Sequence, residues 1–177
     1  MRWVVIAAGG LVAIVALIAL IGALLPKGHM VTRAARFHQK SVAIWQAITD
    51  YRNFPNWRKG VESVEQLPDS RGHSVWLERG RNDAIPYEMV ETSPPDATGR
   101  ARMVVRIADP KLPYSGTWTY ELAEADGDAI LRITERGEVY NPIFRFISRF
   151  VMSQSGTIET YLNELGRKFA ATVSIEE

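Results

Sequence analysis

The chain reads as an α+β protein, a curved antiparallel sheet around a long C-terminal helix, preceded by one transmembrane helix. Three observations predict this. Trp3 to Leu25 is an uncharged run of mostly Val, Ile, Leu, Ala and Gly, segments between His29 and Tyr140 alternate with period two, and Asn141 to Val173 carries an amphipathic helical pattern. The expected division is residues 1–28 as membrane anchor and short linker, and residues 29–177 as one folded domain.

The apolar run comes first. About 20 apolar residues cross roughly 30 Å of hydrocarbon, and Trp3 to Leu25 meets that length. A cleaved signal peptide has an apolar region of about 7 to 15 residues ending in a small-x-small site. Here the run is longer and closes on Ala23-Leu24-Leu25-Pro26, which favours an uncleaved single-pass anchor. Lys27, Arg33, Arg36 and Lys40 on one flank outnumber Arg2 on the other, a lean towards a cytoplasmic domain. If Arg33 and Arg36 belong to a strand, the flanks are nearly balanced.

Pro26-Lys27-Gly28 breaks the helix, and His29 to Phe37 alternates as a first strand. Ser41 opens a short helix carrying Ile44, Trp45 and Ile48, and Asn53 is the expected cap of a second short turn, Phe54 to Arg58, ended by Gly60. Six strands follow at Val61–Leu67, His73–Glu78, Ile85–Glu91, Arg100–Ile107, Gly116–Leu122 and Ala129–Tyr140. Turns at Asp69–Gly72, Pro94–Asp96 and Asp126–Asp128 separate them. Asn141 and Pro142 then form a helix start signal. Beyond it Ile147, Val151, Ile158, Leu162, Leu165 and Phe169 recur on one side, with Gly156 and Gly166 marking close packing or a slight bend. A sheet with one apolar face and a helix with a matching stripe bury each other.

Arg33 to Trp57 resembles the opening of the START-like superfamily, also called SRPBCC or polyketide cyclase/dehydrase-like. The shared pattern is a strand, then V-x-x-W-x-x-I-x-D at Val42 to Asp50 and F-P-x-W at Phe54 to Trp57. Ser115 to Leu122 and the terminal helix extend the likeness across nearly all of residues 29–173, and the anchor resembles the membrane-tethered bacterial members. The resemblance implies the helix-grip fold, with an apolar cavity between sheet and last helix. The superfamily includes lipid carriers, hormone receptors, aromatic cyclases, oxygenase domains and regulatory proteins, so it does not imply one reaction.

Strand parity gives candidates for the interior. Tyr87 and Met89, Met103 and Val105, Trp118 and Tyr120, and Ile133 with Glu135 fall on inward faces. Ile158, Leu162 and Leu165 face them from the last helix, and Trp57 and Arg58 resemble the family's second-helix position, which often borders the entrance, with core packing the other reading of Trp57. Such a wall suits a ligand pocket and equally suits a filled core. Glu135, aimed inward, loses solvent as proton-transfer groups do. Alternatively Gly137 marks a bulge that leaves Glu135 paired with an arginine or solvated. Asp109 to Tyr114, stiffened by two prolines, is either a rim over the entrance or a rigid turn. Phe144, Phe146 and Phe150 with Arg145 and Arg149 either touch a bilayer or pack on the sheet.

Composition excludes several classes. The net charge of +1 becomes −1 once Arg2 and Lys27 are set aside, and no basic stripe suggests nucleic acid. The absence of cysteine excludes thiol nucleophiles and thiolate metal sites. His29, His38 and His73 are scattered without metal-ligand spacing, and neither a nucleophile elbow nor a phosphate loop is present, so no metal or cofactor is expected. The expected function is a membrane-anchored domain that binds a hydrophobic small molecule or lipid. The alternatives are an enzyme of cyclase or dehydratase type and a protein-interaction module with a filled core.

Overall fold

The computed structural model describes residues 2–151 and 155–177. An apolar helix, α1 (Arg2–Leu24), leads into β1 (Gly28–Phe37), helix α2 (Ser41–Thr49) and a 3-10 turn (Tyr51–Asn56). Six strands follow: β2 (Ser63–Ser70), β3 (His73–Arg79), β4 (Ala84–Ser93), β5 (Ala101–Ile107), β6 (Tyr114–Ala125) and β7 (Asp128–Val139). Helices α3 (Pro142–Phe150) and α4 (Gly156–Lys168) and a two-residue strand, β8 (Ile175–Glu176), complete the chain. The strands form one antiparallel sheet in the order β2-β3-β4-β5-β6-β7-β1-β8, so the first strand closes the meander against the last long one. This is the α+β helix-grip arrangement, with α4 held against the concave face.

Turn chemistry sets the register. Asp126 and Gly127 both take positive φ between β6 and β7, as do Arg71 and Gly72 between β2 and β3, the geometry that continues strand twist through a two-residue hairpin. The core lies between sheet and helices, with Phe37, Ile44, Ile48, Met103, Leu131, Ile133, Ile158, Leu162 and Leu165 fully enclosed. α1 has no such packing over most of its length. It is apolar on all sides, exposed along nearly all of it, and long enough to span a membrane.

Four expectations change. The single long helix is two: α3 ends with Val151 as its C-cap, and α4 starts afresh at Gly156. Ile147 and Val151 therefore belong to a different surface from Ile158, Leu162 and Leu165, and Phe150 lies exposed against Phe146 instead of on the sheet. Asn53 is not a helix cap. The 3-10 turn begins two residues earlier, and Asn53 instead donates to Asp50 Oδ2 at 2.6 Å and accepts from Asn56. Gly137 is not a bulge, because β7 pairs with β6 without interruption from Asp128 to Val139. Lastly, β8 adds an edge strand that the sequence pattern is too short to announce. The Asn141 cap stands as read: its Oδ1 accepts from the backbone N–H of Ile143 and Phe144, with Pro142 opening the helix.

Candidate functional site

A cavity of about 520 Å³ separates the concave face of the sheet from α4. That is ample for a small organic ligand. Its walls follow from strand parity. Trp76 and Glu78 project from β3, Tyr87 from β4, Met103 and Val105 from β5, Trp118 and Tyr120 from β6, and Ile133 from β7. From the other side α4 contributes Thr157, Ile158, Thr160, Tyr161 and Glu164. Gly60, Thr157 and Thr160 are exposed, which puts the mouth between the turn after the 3-10 segment and the first turns of α4.

Aromatic rings hold the wall in place. Tyr51 stacks on Trp76 at 4.4 Å, Trp76 meets Tyr87 at 5.9 Å, and Tyr87 meets Trp118 edge-on at 5.9 Å. On the helix side Tyr161 meets Tyr120 at 5.7 Å and Trp57 at 5.4 Å.

A charged pair, together with Glu164, breaks the apolar lining. Arg58 Nη1 donates to Glu78 Oε2 at 2.8 Å, and Trp76 Nε1 donates to Glu78 Oε1 at 3.0 Å. Both carboxylate oxygens thus have partners. The guanidinium lies 4.8 Å above the Phe54 ring and 5.3 Å from that of Tyr161. Burial opposes its charge, yet Glu78 and the surrounding tyrosines outweigh burial and hold its pKa above the ordinary arginine value. Only Nη1 has a hydrogen-bond partner among the described residues, which leaves Nε and Nη2 available at the cavity wall. Glu164 on α4 accepts from the Lys59 backbone N–H at 3.1 Å and pins the turn carrying Arg58 to the helix.

Three hydroxyls join this cation. Tyr161 is 8% exposed, and its OH is buried without a hydrogen-bond partner. Burial raises the pKa of Tyr161, of Tyr87 (with Glu78 adding to the effect) and of Tyr120. All three phenols are therefore neutral at physiological pH and act as hydrogen-bond donors or acceptors. An unpaired buried hydroxyl costs about 1–3 kcal/mol, a cost that an occupant with a suitable oxygen or nitrogen removes.

The sequence-derived residues divide in two. Tyr87, Met103, Val105, Trp118, Tyr120, Ile133 and Ile158 line the cavity. Trp57, Met89, Glu135, Leu162 and Leu165 do not. Trp57 stands behind Phe54 and Tyr161, Met89 packs against the core beside the irregularity in β4, and Leu162 and Leu165 are wholly enclosed in the core. Glu135 is screened by Trp118, whose indole N–H donates to Glu135 Oε2 at 3.0 Å, while His29 Nε2 lies 3.4 Å from Oε1. Two paired glycines make that screen. A Cβ on Gly116 would stand 2.6 Å from the Trp118 ring, and one on Gly137 would stand 2.4 Å from the His29 ring. The glycine read as a bulge is thus a notch for an imidazole.

Arg58 lines the cavity, at the family position that the sequence assigned to it and Trp57, whereas Glu78 and Tyr161 were not among the expected site residues. The available signals were Glu78 two residues after Trp76 on the same strand face, and Tyr161 one helical turn after Ile158's neighbour Thr157. The segment from Asp109 to Tyr114 contributes nothing to the cavity. Asp109 accepts from the Lys111 backbone N–H at 2.8 Å, so it is the rigid turn and not a rim. No cluster of three or more metal-ligating side chains occurs among the described residues.

Residues 30–169 match the family model described as polyketide cyclase / dehydrase and lipid transport. No curated protein matches the chain. Among solved structures, a point mutant of norcoclaurine synthase from Thalictrum flavum in complex with a transition-state analogue superposes with a TM-score of 0.61 at 8% identity, covering 81% of this chain and 94% of that one. The Zhui aromatase/cyclase from Streptomyces sp. R1128 gives 0.60 at 11% identity, with 78% and 91% covered. A hypothetical protein from Helicobacter pylori gives 0.62 at 11%, with 77% and 85% covered. At such identities the likeness is one of fold.

Proposed function

The chain belongs to the polyketide cyclase / dehydrase and lipid transport family, and from that premise we propose that it binds a hydrophobic small molecule or lipid with one oxygen-bearing end. The site is the cavity between sheet and α4, and α1 anchors the protein in a membrane as a single-pass helix. The observation that carries this reading is the pairing, in one largely apolar cavity, of a half-buried guanidinium with two unused donor nitrogens and a buried tyrosine hydroxyl without a partner. Apolar walls supply area, and a few convergent polar groups fix orientation. The oxygen of the ligand lies against Arg58 and Tyr161, and its apolar body against Trp118, Met103, Val105 and Ile133. Anchoring suits local exchange or sensing of such a molecule better than long-range transport. Because Arg33 and Arg36 belong to β1, the charges flanking α1 are nearly balanced and do not choose a side for the domain.

The test is native mass spectrometry of the full chain released from detergent, followed by extraction and identification of what it carries. The expected result is a stoichiometric apolar molecule bearing a carboxylate, phosphate, hydroxyl or carbonyl group, with occupancy reduced in Arg58→Ala and Tyr161→Phe. An empty protein that also leaves a panel of fluorescent apolar probes unbound sinks the proposal.

A second reading is an enzyme of cyclase or dehydratase type. Its support is that a carboxylate, Glu78, stands on the cavity wall beside the tyrosines, although Glu135 does not. In that case Glu78 is the acid/base group. Glu78→Gln then abolishes turnover of the identified ligand while retaining its binding, and binding without any turnover by the unaltered protein leaves the first reading alone.

A further inference from the structure

Helix α3 is inside out for a helix of a water-soluble domain. Around its axis Ile143, Phe144, Phe146, Ile147, Phe150 and the capping Val151 occupy one side, and Arg145, Ser148 and Arg149 the other. A domain helix turns its apolar side to the core. Here Arg145 on the polar side turns in, with Arg149 left exposed: Arg145 is buried, donating to the carbonyls of Leu25 at 3.1 Å, Tyr140 at 3.0 Å and Ala23 at 3.5 Å. The apolar side faces out, with Phe144 55%, Phe150 61% and Val151 73% exposed.

The neighbour of α3 is α1. A Cβ on Gly22 would stand 1.8 Å from the Pro142 carbonyl oxygen, so only glycine permits this approach. The connection from α1 to β1 is also tied down, because the Val139 backbone N–H donates to the Lys27 carbonyl at 2.9 Å. The start of α3 is thereby fixed at the C-terminal end of a helix long enough to span a bilayer, which is the level of a headgroup region. On the same side Lys27, His29, Arg145 and Arg149 line a surface hollow of about 340 Å³ with no acidic side chain among its lining residues.

We propose that α3 lies in the bilayer interface with its rings among the acyl chains and the basic hollow against anionic lipid headgroups, so that the domain is docked on the membrane and not merely tethered to it. This rests on the reading of α1 as the anchor. Continuity with α1 selects lipid as the occupant. Aromatic rings on one side of a helix with Arg and Lys at the polar boundary is the arrangement that interfacial helices share.

The chain has no cysteine, so single cysteines report one place each. The full chain carrying Phe144→Cys or Phe150→Cys, spin-labelled, is reconstituted at one copy per nanodisc in phosphatidylcholine with or without phosphatidylglycerol. Leu11→Cys in α1 and Asp126→Cys at the far hairpin of β7 serve as references. The expected result is that labels at 144 and 150 are several-fold more accessible to oxygen and less accessible to a water-soluble nickel chelate than the label at 126. The protection increases with phosphatidylglycerol, and Lys27→Glu with Arg149→Glu removes that increase. If labels at 144 and 150 behave like the one at 126 while 11 is protected, the docking inference fails and the anchor stands. If 11 is exposed as well, the anchor reading itself fails. Protection found in native membranes but absent from pure lipid means that a protein or a second copy covers α3, and overturns the inference.

Discussion

Helices α3 and α4 share one hydrophobic rhythm and put it to opposite uses. α4 presses Ile158, Leu162 and Leu165 against the sheet, where each is at most 1% exposed, and lends Tyr161 to the cavity. α3 turns Phe144 and Phe150 outward and draws Arg145 inward to the end of α1. Periodicity tells which residues share a side of a helix, but not which medium that side meets. The medium is decided by what is nearest in space, a sheet for α4 and the end of an apolar rod for α3.

Core truncation separates the two most sharply. Leu162→Ala leaves a void in a site with no solvent exposure and is expected to lower domain stability by about 2–5 kcal/mol. Phe150→Ala in detergent is expected to change it by less than about 0.5 kcal/mol, as for a surface position. Chemical denaturation followed by tryptophan fluorescence checks both, since Trp76 and Trp118 line the cavity. Equal effects of the two substitutions erase the distinction between the helices.

Glycine substitution sharpens it. In α4, Gly166→Ala sets a Cβ 2.9 Å from the Ala171 carbonyl oxygen and 3.0 Å from Val173, and overpacking there is expected to cost about 1–3 kcal/mol of domain stability. Gly22→Ala drives α1 and α3 apart, yet the domain core does not run through that contact. The expected result is faster amide exchange in α3 with an unchanged denaturation midpoint. A midpoint that falls as far as for Gly166→Ala shows that α3 is part of the core after all.

The sheet was legible because its inward and outward faces meet different surroundings, apolar core against solvent, and period two records that contrast at nearly every strand. The break in the helix was not. Gly156 sits inside a three-four spacing that runs on through Ile158, and a glycine within a helical pattern reads as a cost of up to about 1 kcal/mol, not as a stop. The apolar half of the cavity was legible by the same parity that gave the strands. Its polar half was legible in part, through Tyr87, Tyr120 and the family position of Arg58, but Glu78 was not, because its partner Arg58 lies in an irregular turn twenty residues earlier. A side-chain pair across that distance leaves no period. Glu135 was read correctly as inward-facing, but a neighbour's ring position decides whether an inward group reaches a cavity, and the notch at Gly116 and Gly137 brings Trp118 between them.

Tyr161 tests the inward role of α4 more finely. Tyr161→Phe removes a buried hydroxyl without a partner, so the ligand-free domain is expected to gain about 1 kcal/mol. The same change removes a hydrogen bond to the proposed ligand, so affinity falls while stability rises. Denaturation of the stripped protein and titration with the identified ligand measure the two effects separately. A loss of stability in the stripped protein would show that the hydroxyl is already satisfied there.

The smallest expected difference is in response to acid. At the start of α4, Glu159 accepts from Ser155 and from Arg33 Nε at 3.1 Å, and these bonds, with the Arg33 charge, hold its pKa below the ordinary carboxylate value against the opposing effect of burial. A carboxylate near a helix N-terminus also complements the helix dipole. Because the folded pKa is the lower one, the contribution to stability is fully present above the unfolded value of about 4.3. It is lost as pH falls through the folded value. The Glu159 side chain is 39% exposed, so solvent screening keeps the effect under about 1 kcal/mol. α3 has no acidic residue in its sequence, PIFRFISRF, and nothing of its own to protonate over that range. Amide exchange is therefore expected to quicken in the first turn of α4, relative to intrinsic rates, as pH drops from neutrality below about 4, with α3 unchanged, and Glu159→Gln is expected to abolish the difference. Parallel acid responses in both helices would mean that they open as one unit, which would undo the contrast from which their separate roles are argued.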